Sequence, residues 1–204
     1  MSGAIFDSSK SALIFAFTFA AGARPERDSV NKISTPSTGS GRGLGGMDGA
    51  AQAGMVLGEL KRSGMLIEQV LTARLAMRAF ICSCRSPCCS GSRPNDTWRE
   101  AVSYMSDHVY QLMQSTHSGK RGMEDNYRLR KMMTGKYFGI EVDVKEIAKR
   151  AEVSERTAHQ HRKAIYGHLH RIESNAWIEI EARLVSVGIV SSITGEEECL
   201  DKTQ

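Results

Sequence analysis

Val144-Lys145-Glu146-Ile147-Ala148-Lys149-Arg150-Ala151-Glu152-Val153-Ser154-Glu155-Arg156-Thr157-Ala158-His159-Gln160-His161-Arg162-Lys163-Ala164-Ile165 has the spacing of two helices that cross at a tight turn. The first helix would bury Val144, Ile147, Ala148 and Ala151. Val153 would drop into the angle between the helices, and Ser154 is a natural N-cap for the second. Ala148 and Ala158 are small where the two helices would approach most closely. The turn position that most often holds Gly is occupied by Glu152, which must therefore accept a bent backbone. The segment predicts a helix-turn-helix.

On the second helix, Ala158, Ile165, Leu169 and Ile172 recur at spacings that put them on one inner face. Rotation by about 100° per residue turns Arg156, Gln160 and Lys163 outward, with His159 at the edge and Gly167 continuing the line. A helix in the major groove needs these side-chain types. Arg forks onto guanine O6 and N7, Gln onto adenine N6 and N7, and Lys reaches phosphate. Charge placement agrees: from Arg156 to Ile172 there are four Lys or Arg, four of the six histidines and no acid. The whole chain carries only +4, from 27 Lys plus Arg against 23 Asp plus Glu, so the segment alone matches the net charge that would release counterions from DNA. His159, His161, His168 and His170 form two His-x-His pairs, but residues two apart on a helix point about 200° apart and do not chelate one ion. A solvated basic helix in a bundle is the plainer reading; the small residues at the crossing points and the Val-Ser after Glu152 argue against it.

Working outward, the 204 residues are 41% hydrophobic and 6% aromatic, which predicts an all-α helical bundle with a core of Leu, Ile, Val, Met and Ala. Residues 1–22 hold an N-terminal helix over 9–20, capped by Asp7, Ser8 or Ser9, with Leu13, Phe17 and Ala20 on one face and Ala16 beside them. Its Ala21-Gly22-Ala23 end imitates a signal-peptidase site, but the preceding segment, with one lysine and one aspartate, is a poor leader. No apolar run reaches the roughly 18–20 residues of a membrane span, so a chain without membrane association is expected. Residues 23–47, rich in Arg, Ser, Thr, Pro and Gly, predict a flexible linker. Its glycines lack the Gly-Lys-Ser/Thr of a phosphate loop.

Residues 48–116 predict a helical unit: helices over 49–62 (with Asp48 as cap) and 66–80, broken at Ser63-Gly64, and a third started by Pro94-Asn95-Asp96 with a stripe of Trp98, Val102, Met105, Val109 and Leu112. Within this unit lies a cysteine-rich loop, 82–91, bearing Cys82, Cys84, Cys88 and Cys89. Four thiolates suit a tetrahedral zinc ion that staples a loop lacking its own core, and Arg78, Arg85 and Arg93 favour the thiolate form. The spacing is compressed, so two or three of the cysteines with His108 or His117 form an alternative shell; a disulfide or inert thiols are the other readings. A zinc ion is favoured because a nucleic-acid-binding chain belongs in a reducing cytoplasm. Residues 114–122 are a polar hinge, and 117–190 form the DNA-binding unit, opening with a basic helix over 123–138. The long helix is expected to run to Ala176, followed by 177–187 with Ile178, Ile180, Leu184 and Val185 covering the core, and 191–204 is an acidic tail.

Several stretches together resemble a known family. They are Lys10 to Phe17, Gly43-Leu44-Gly45-Gly46-Met47-Asp48-Gly49-Ala50-Ala51-Gln52-Ala53-Gly54-Met55, the Cys82 to Cys89 loop and the terminal helix-turn-helix. The chain resembles prophage-encoded proteins related to the late-gene antitermination proteins of lambdoid phages, the Q type. That resemblance implies a small helical protein in the cytoplasm of a bacterial host. It would bind double-stranded DNA near a late promoter, engage paused host RNA polymerase and travel with it past terminators. It also implies that Arg156, His159, Gln160, Arg162 and Lys163 read DNA, that Ser154 and Thr157 touch phosphate, and that residues 48–80 and the 123–138 helix are candidate polymerase surfaces. An ordinary helix-turn-helix repressor or activator would share the same DNA face. An enzyme is disfavoured, since no clustered acidic pair presents itself to hold Mg²⁺.

Overall fold

A computed structural model describes residues 4–21, 47–82, 90–116 and 126–191. It is mostly helical. The helices are α1 (Ser9–Ala20), α2 (Met47–Arg62), α3 (Met65–Leu75), α4 (Asp96–Thr116), α5 (Tyr127–Tyr137), α6 (Val144–Arg150) and α7 (Glu155–Ser186). A small ribbon of β1 (Ala79–Ile81) and β2 (Ser92–Pro94) lies between α3 and α4.

Local chemistry explains most of the helix starts. Ser8 caps α1 by accepting from the Ser11 amide at 3.2 Å, and Asn126 caps α5 by accepting from Leu129 at 2.8 Å. Asp143 does the same for α6 and Ser154 for α7. Between α2 and α3, Gly64 takes φ 103°, a left-handed value open to Gly without steric cost.

The 32-residue α7 is the spine, and it packs against all six other helices. Its buried side chains Ala158, Ile165, Leu169, Ile172, Ala176, Ile180 and Leu184 keep one helical period from end to end. The break expected at Ala176 is therefore absent: Ala176 is itself buried and the stripe passes through it. Ile178, expected to cover the core, is 69% exposed, because it stands two residues from both Ala176 and Ile180 and so faces the other way.

Three other expectations are corrected. In α1 the buried residues are Ser9, Ala12, Leu13 and Ala16, while Ala20 is exposed, because α2 packs along that side of the helix. α2 begins at Met47, so Asp48 lies in its first turn instead of capping it. The helix expected over 66–80 stops at Leu75: Ala76 is extended, the Asn95 side chain donates to the Met77 carbonyl at 2.7 Å, and Phe80 pairs with Arg93 across the ribbon. Phe80 and Ile81 suit a pleated strand at least as well as a helix, and only the partner strand selects between the two.

A single apolar cluster runs from Phe6 to Val190, drawing on every helix and crossing the boundary expected at residue 117. The chain ends of the described structure close on one another, the Phe6 amide donating to the Ile189 carbonyl at 3.0 Å and the Ser191 amide to Phe6 at 3.2 Å. No described helix is long and apolar enough to cross a membrane.

Candidate nucleic-acid interface

α6 and α7 meet as their residue pattern predicts. Val144, Ile147, Ala148 and Ala151 are buried, and so is Ala158 opposite them. α6 ends in a Schellman arrangement: the Glu152 amide donates to Lys149 and the Val153 amide to Ala148, at 3.3 and 3.0 Å. Val153 packs on the core as the apolar residue that follows such a cap. The turn puts Glu152 at φ 57°, the one left-handed non-glycine among the described residues. An L-residue there costs roughly 1–2 kcal/mol, part of which Gly would recover against its own larger unfolded-state entropy. Glu152→Gly is expected to stabilise the protein by up to about 1 kcal/mol, a rise of about 2–4 °C in melting temperature by calorimetry. A lower melting temperature would show that the Glu152 side chain matters in its own right.

The turn is held from outside by α5. The Asn126 side chain donates to the Ala151 carbonyl at 2.9 Å and the Arg128 guanidinium to the Arg150 carbonyl at 3.0 Å, satisfying the end of α6. These two residues escape a reading of the sequence, since nothing local marks them as partners of a turn more than twenty residues away.

The expected site residues lie together on the first turns of α7. Ser154, Arg156, His159, Gln160 and Lys163 are exposed, and Thr157 and Arg162 are half-buried. Arg156 and Lys163 form no ion pair among the described residues. The Ser154 hydroxyl accepts from the Thr157 amide at 3.1 Å and lies 2.8 Å from the Thr157 hydroxyl. Both hydroxyls are engaged in the cap, which leaves the amides of Glu155 and Arg156 as the donors at that helix end. The four histidines divide. His159 and His170 are exposed and His168 is half-buried, whereas His161 is buried on the inner face between Ala158 and Ile165, and burial pushes its imidazole toward the neutral form. His161 adds no positive charge to the outer face.

α5 keeps some of its cations at the surface and commits others to the fold. Arg130 is buried, with its guanidinium 4.3 Å from the Tyr110 ring centroid, Arg128 is tied to α6, and Lys136 donates to the Val142 carbonyl at 2.5 Å. Residues 117–125, which include the first part of the helix expected over 123–138, lie outside the described residues.

A second polar cluster, unforeseen from the sequence, locks α7 into the bundle. Glu173 accepts from Arg74 Nε and Nη2, each at 2.6 Å, and from the Tyr137 hydroxyl at 2.7 Å. Arg74 also donates to the Tyr137 carbonyl at 3.3 Å, and the Tyr137 ring meets Tyr166 edge-on at 5.0 Å. Three helices thus meet at one carboxylate.

At the cysteine loop, β1 and β2 pair in register Ala79↔Pro94, Phe80↔Arg93 and Ile81↔Ser92, and the Cys82 amide donates to the Gly91 carbonyl at 2.9 Å. Cys82 and Gly91 are thus neighbours at the end of the ribbon. Cys82 is half-buried; Cys84, Cys88 and Cys89 lie outside the described residues, as does His117. His108 is half-buried and stacks on Tyr104 with ring centroids 6.3 Å apart.

Compared with family models, with curated proteins and with solved structures, the chain matches none.

Proposed function

We propose that the chain is a DNA-binding transcription factor of the antitermination kind, with α6, the turn at Glu152 and α7 acting as its helix-turn-helix. The observation that carries this reading is the outer face of α7, where Arg156, Gln160 and Lys163 are exposed, Arg156 and Lys163 form no ion pair among the described residues, and the helix is packed against all six others. In this reading the first turns of α7 enter the major groove of double-stranded DNA. Arg156 and Gln160 fork onto base edges, Lys163 and Arg162 meet phosphates, and His159 reaches the edge of the footprint. Ser154 and Thr157 lie at the phosphate-facing end of the helix, where the amides of Glu155 and Arg156, at its positive end, join them as phosphate donors.

Action on transcribing host RNA polymerase rests on the resemblance to Q-type antiterminators. Selection of bound DNA from a random pool, followed by transcription from the recovered site across a terminator, tests both parts. Read-through that depends on the chain is the expected result. Specific binding with no read-through would make the protein an initiation repressor or activator, and no selected site would remove the DNA reading. The same proposal includes a structural zinc held by Cys82, Cys84, Cys88 and Cys89, closing the loop that the ribbon brings back on itself. About one zinc per chain is expected from metal analysis of protein purified without chelators; a content near zero excludes the site.

A further inference from the structure

Beyond the residues assigned to base reading, the outer line of α7 continues at helical spacing: Arg156, Gln160, Lys163, Gly167, Arg171. Gly167 is exposed in the middle of the helix, and a Cβ built on it would meet no atom of the described residues within 4 Å. Glycine weakens a helix interior relative to alanine, and no neighbour among the described residues requires it here. Around it is a shallow concavity whose lining includes Lys163, Ala164, His168 and Arg171. Arg171 is exposed and, like Lys163, forms no ion pair among the described residues. A glycine without internal purpose between two unpaired cations is the arrangement that an anionic chain lying close to the helix backbone would use.

Distance along the helix places that chain. With a rise of about 1.5 Å per residue, the eleven steps from Arg156 to Gly167 span roughly 16 Å, whereas the major groove is about 12 Å wide. A helix that reads bases with its first two turns and lies across the groove reaches the wall of the opposite strand near Gly167.

We propose that Gly167 is the point where the far sugar-phosphate strand of duplex DNA crosses α7, with Lys163 and Arg171 gripping phosphates on either side. This rests on the DNA reading of α7 and adds Gly167 and Arg171 to it. Arg171 acts through charge alone, so its contribution is blind to sequence and sensitive to salt.

The test compares the parent with Gly167→Ala, Gly167→Leu and Arg171→Ala on the selected DNA site, together with melting temperature and sedimentation. Both Gly167 variants are expected to melt higher than the parent, since the position is open and both residues are better helix formers. Gly167→Leu is nevertheless expected to bind DNA about tenfold more weakly. Arg171→Ala is expected to keep the preferred site while the slope of log K against log salt falls by about 1. If Gly167→Leu binds as the parent does, or Arg171→Ala leaves the salt slope unchanged, the crossing point is wrong and base reading by Arg156 and Gln160 still stands. If the parent itself binds no duplex at low salt, both readings fall together. A parent that self-associates, with Gly167→Leu abolishing the association, would make the notch a helix contact between copies and overturn the proposal.

Discussion

The Arg156→Ala, Gln160→Ala double variant is expected to lose the preferred DNA site while keeping its fold. Each bidentate contact to a base edge contributes about 1–3 kcal/mol of discrimination, so the pair removes roughly 2–6 kcal/mol, a loss of at least about 30-fold in specific affinity. Both side chains are exposed, so the melting temperature stays where it was. Affinity for random DNA falls much less, because Arg162, Lys163 and Arg171 remain. Lys163→Ala is the counterpart: weaker on every sequence, with a shallower salt dependence. Fluorescence anisotropy on the selected site and on a scrambled duplex separates the two behaviours. A double variant that binds its best site as tightly as the parent would remove this face of α7 from base reading.

A second large effect is expected at the carboxylate that ties α7 into the bundle. Glu173→Ala strands Arg74 and the Tyr137 hydroxyl at once. Breaking a buried ion pair costs about 3–5 kcal/mol, but the Arg74 side chain is 31% exposed, so water recovers part of the loss and about 2–3 kcal/mol is the fitting magnitude. In a domain of this size that lowers the melting temperature by about 4–12 °C. Burial alone would raise the Glu173 pKa; hydrogen bonds from Arg74 and Tyr137 and the Arg74 charge outweigh it and hold the carboxyl below its ordinary 4.5. A carboxyl with a lowered folded-state pKa stabilises above about pH 4.5, and that stabilisation is lost as pH falls further. The Tyr137 phenol is shifted the other way, upward, by burial and by its bond to Glu173. Its contribution is present below its ordinary value of 10.0 and is lost in stronger base. Thermal melts of the parent should therefore fall away in acid more steeply than those of Glu173→Gln. Equal acid profiles would show that the carboxylate carries no charge-dependent stability.

The two effects are linked through α7. The helix proposed to read DNA is the same rod that Glu173 fixes to α3 and α5, and that Arg183 fixes to Glu59 of α2 at 2.8 Å. A reading helix anchored in this way meets DNA without having to order itself first.

What could be read directly from the chain was local. Ser8 and Ser154 start helices because each places a hydroxyl before a run of apolar period, and α1 lies where that run predicts. The pairing of α6 with α7 follows from Val144, Ile147, Ala148, Ala158 and Ile165, and the bent turn at Glu152 from the missing glycine. The outward set Arg156, Gln160 and Lys163 follows from the same periodicity; His161, counted with the other histidines of the basic segment, is instead buried beside Ala158 and Ile165.

Tertiary structure decided the rest. Phe80 and Ile81 became strand because Arg93 and Ser92 were there to pair with them, and α1 turned Ala12 and Ala16 inward because α2 lies on that side. The meeting of Arg74, Tyr137 and Glu173 joins residues up to 99 positions apart. Capping and period act within a few residues, and one sequence displays them openly; an ion pair between distant helices exists only once packing has brought its members together.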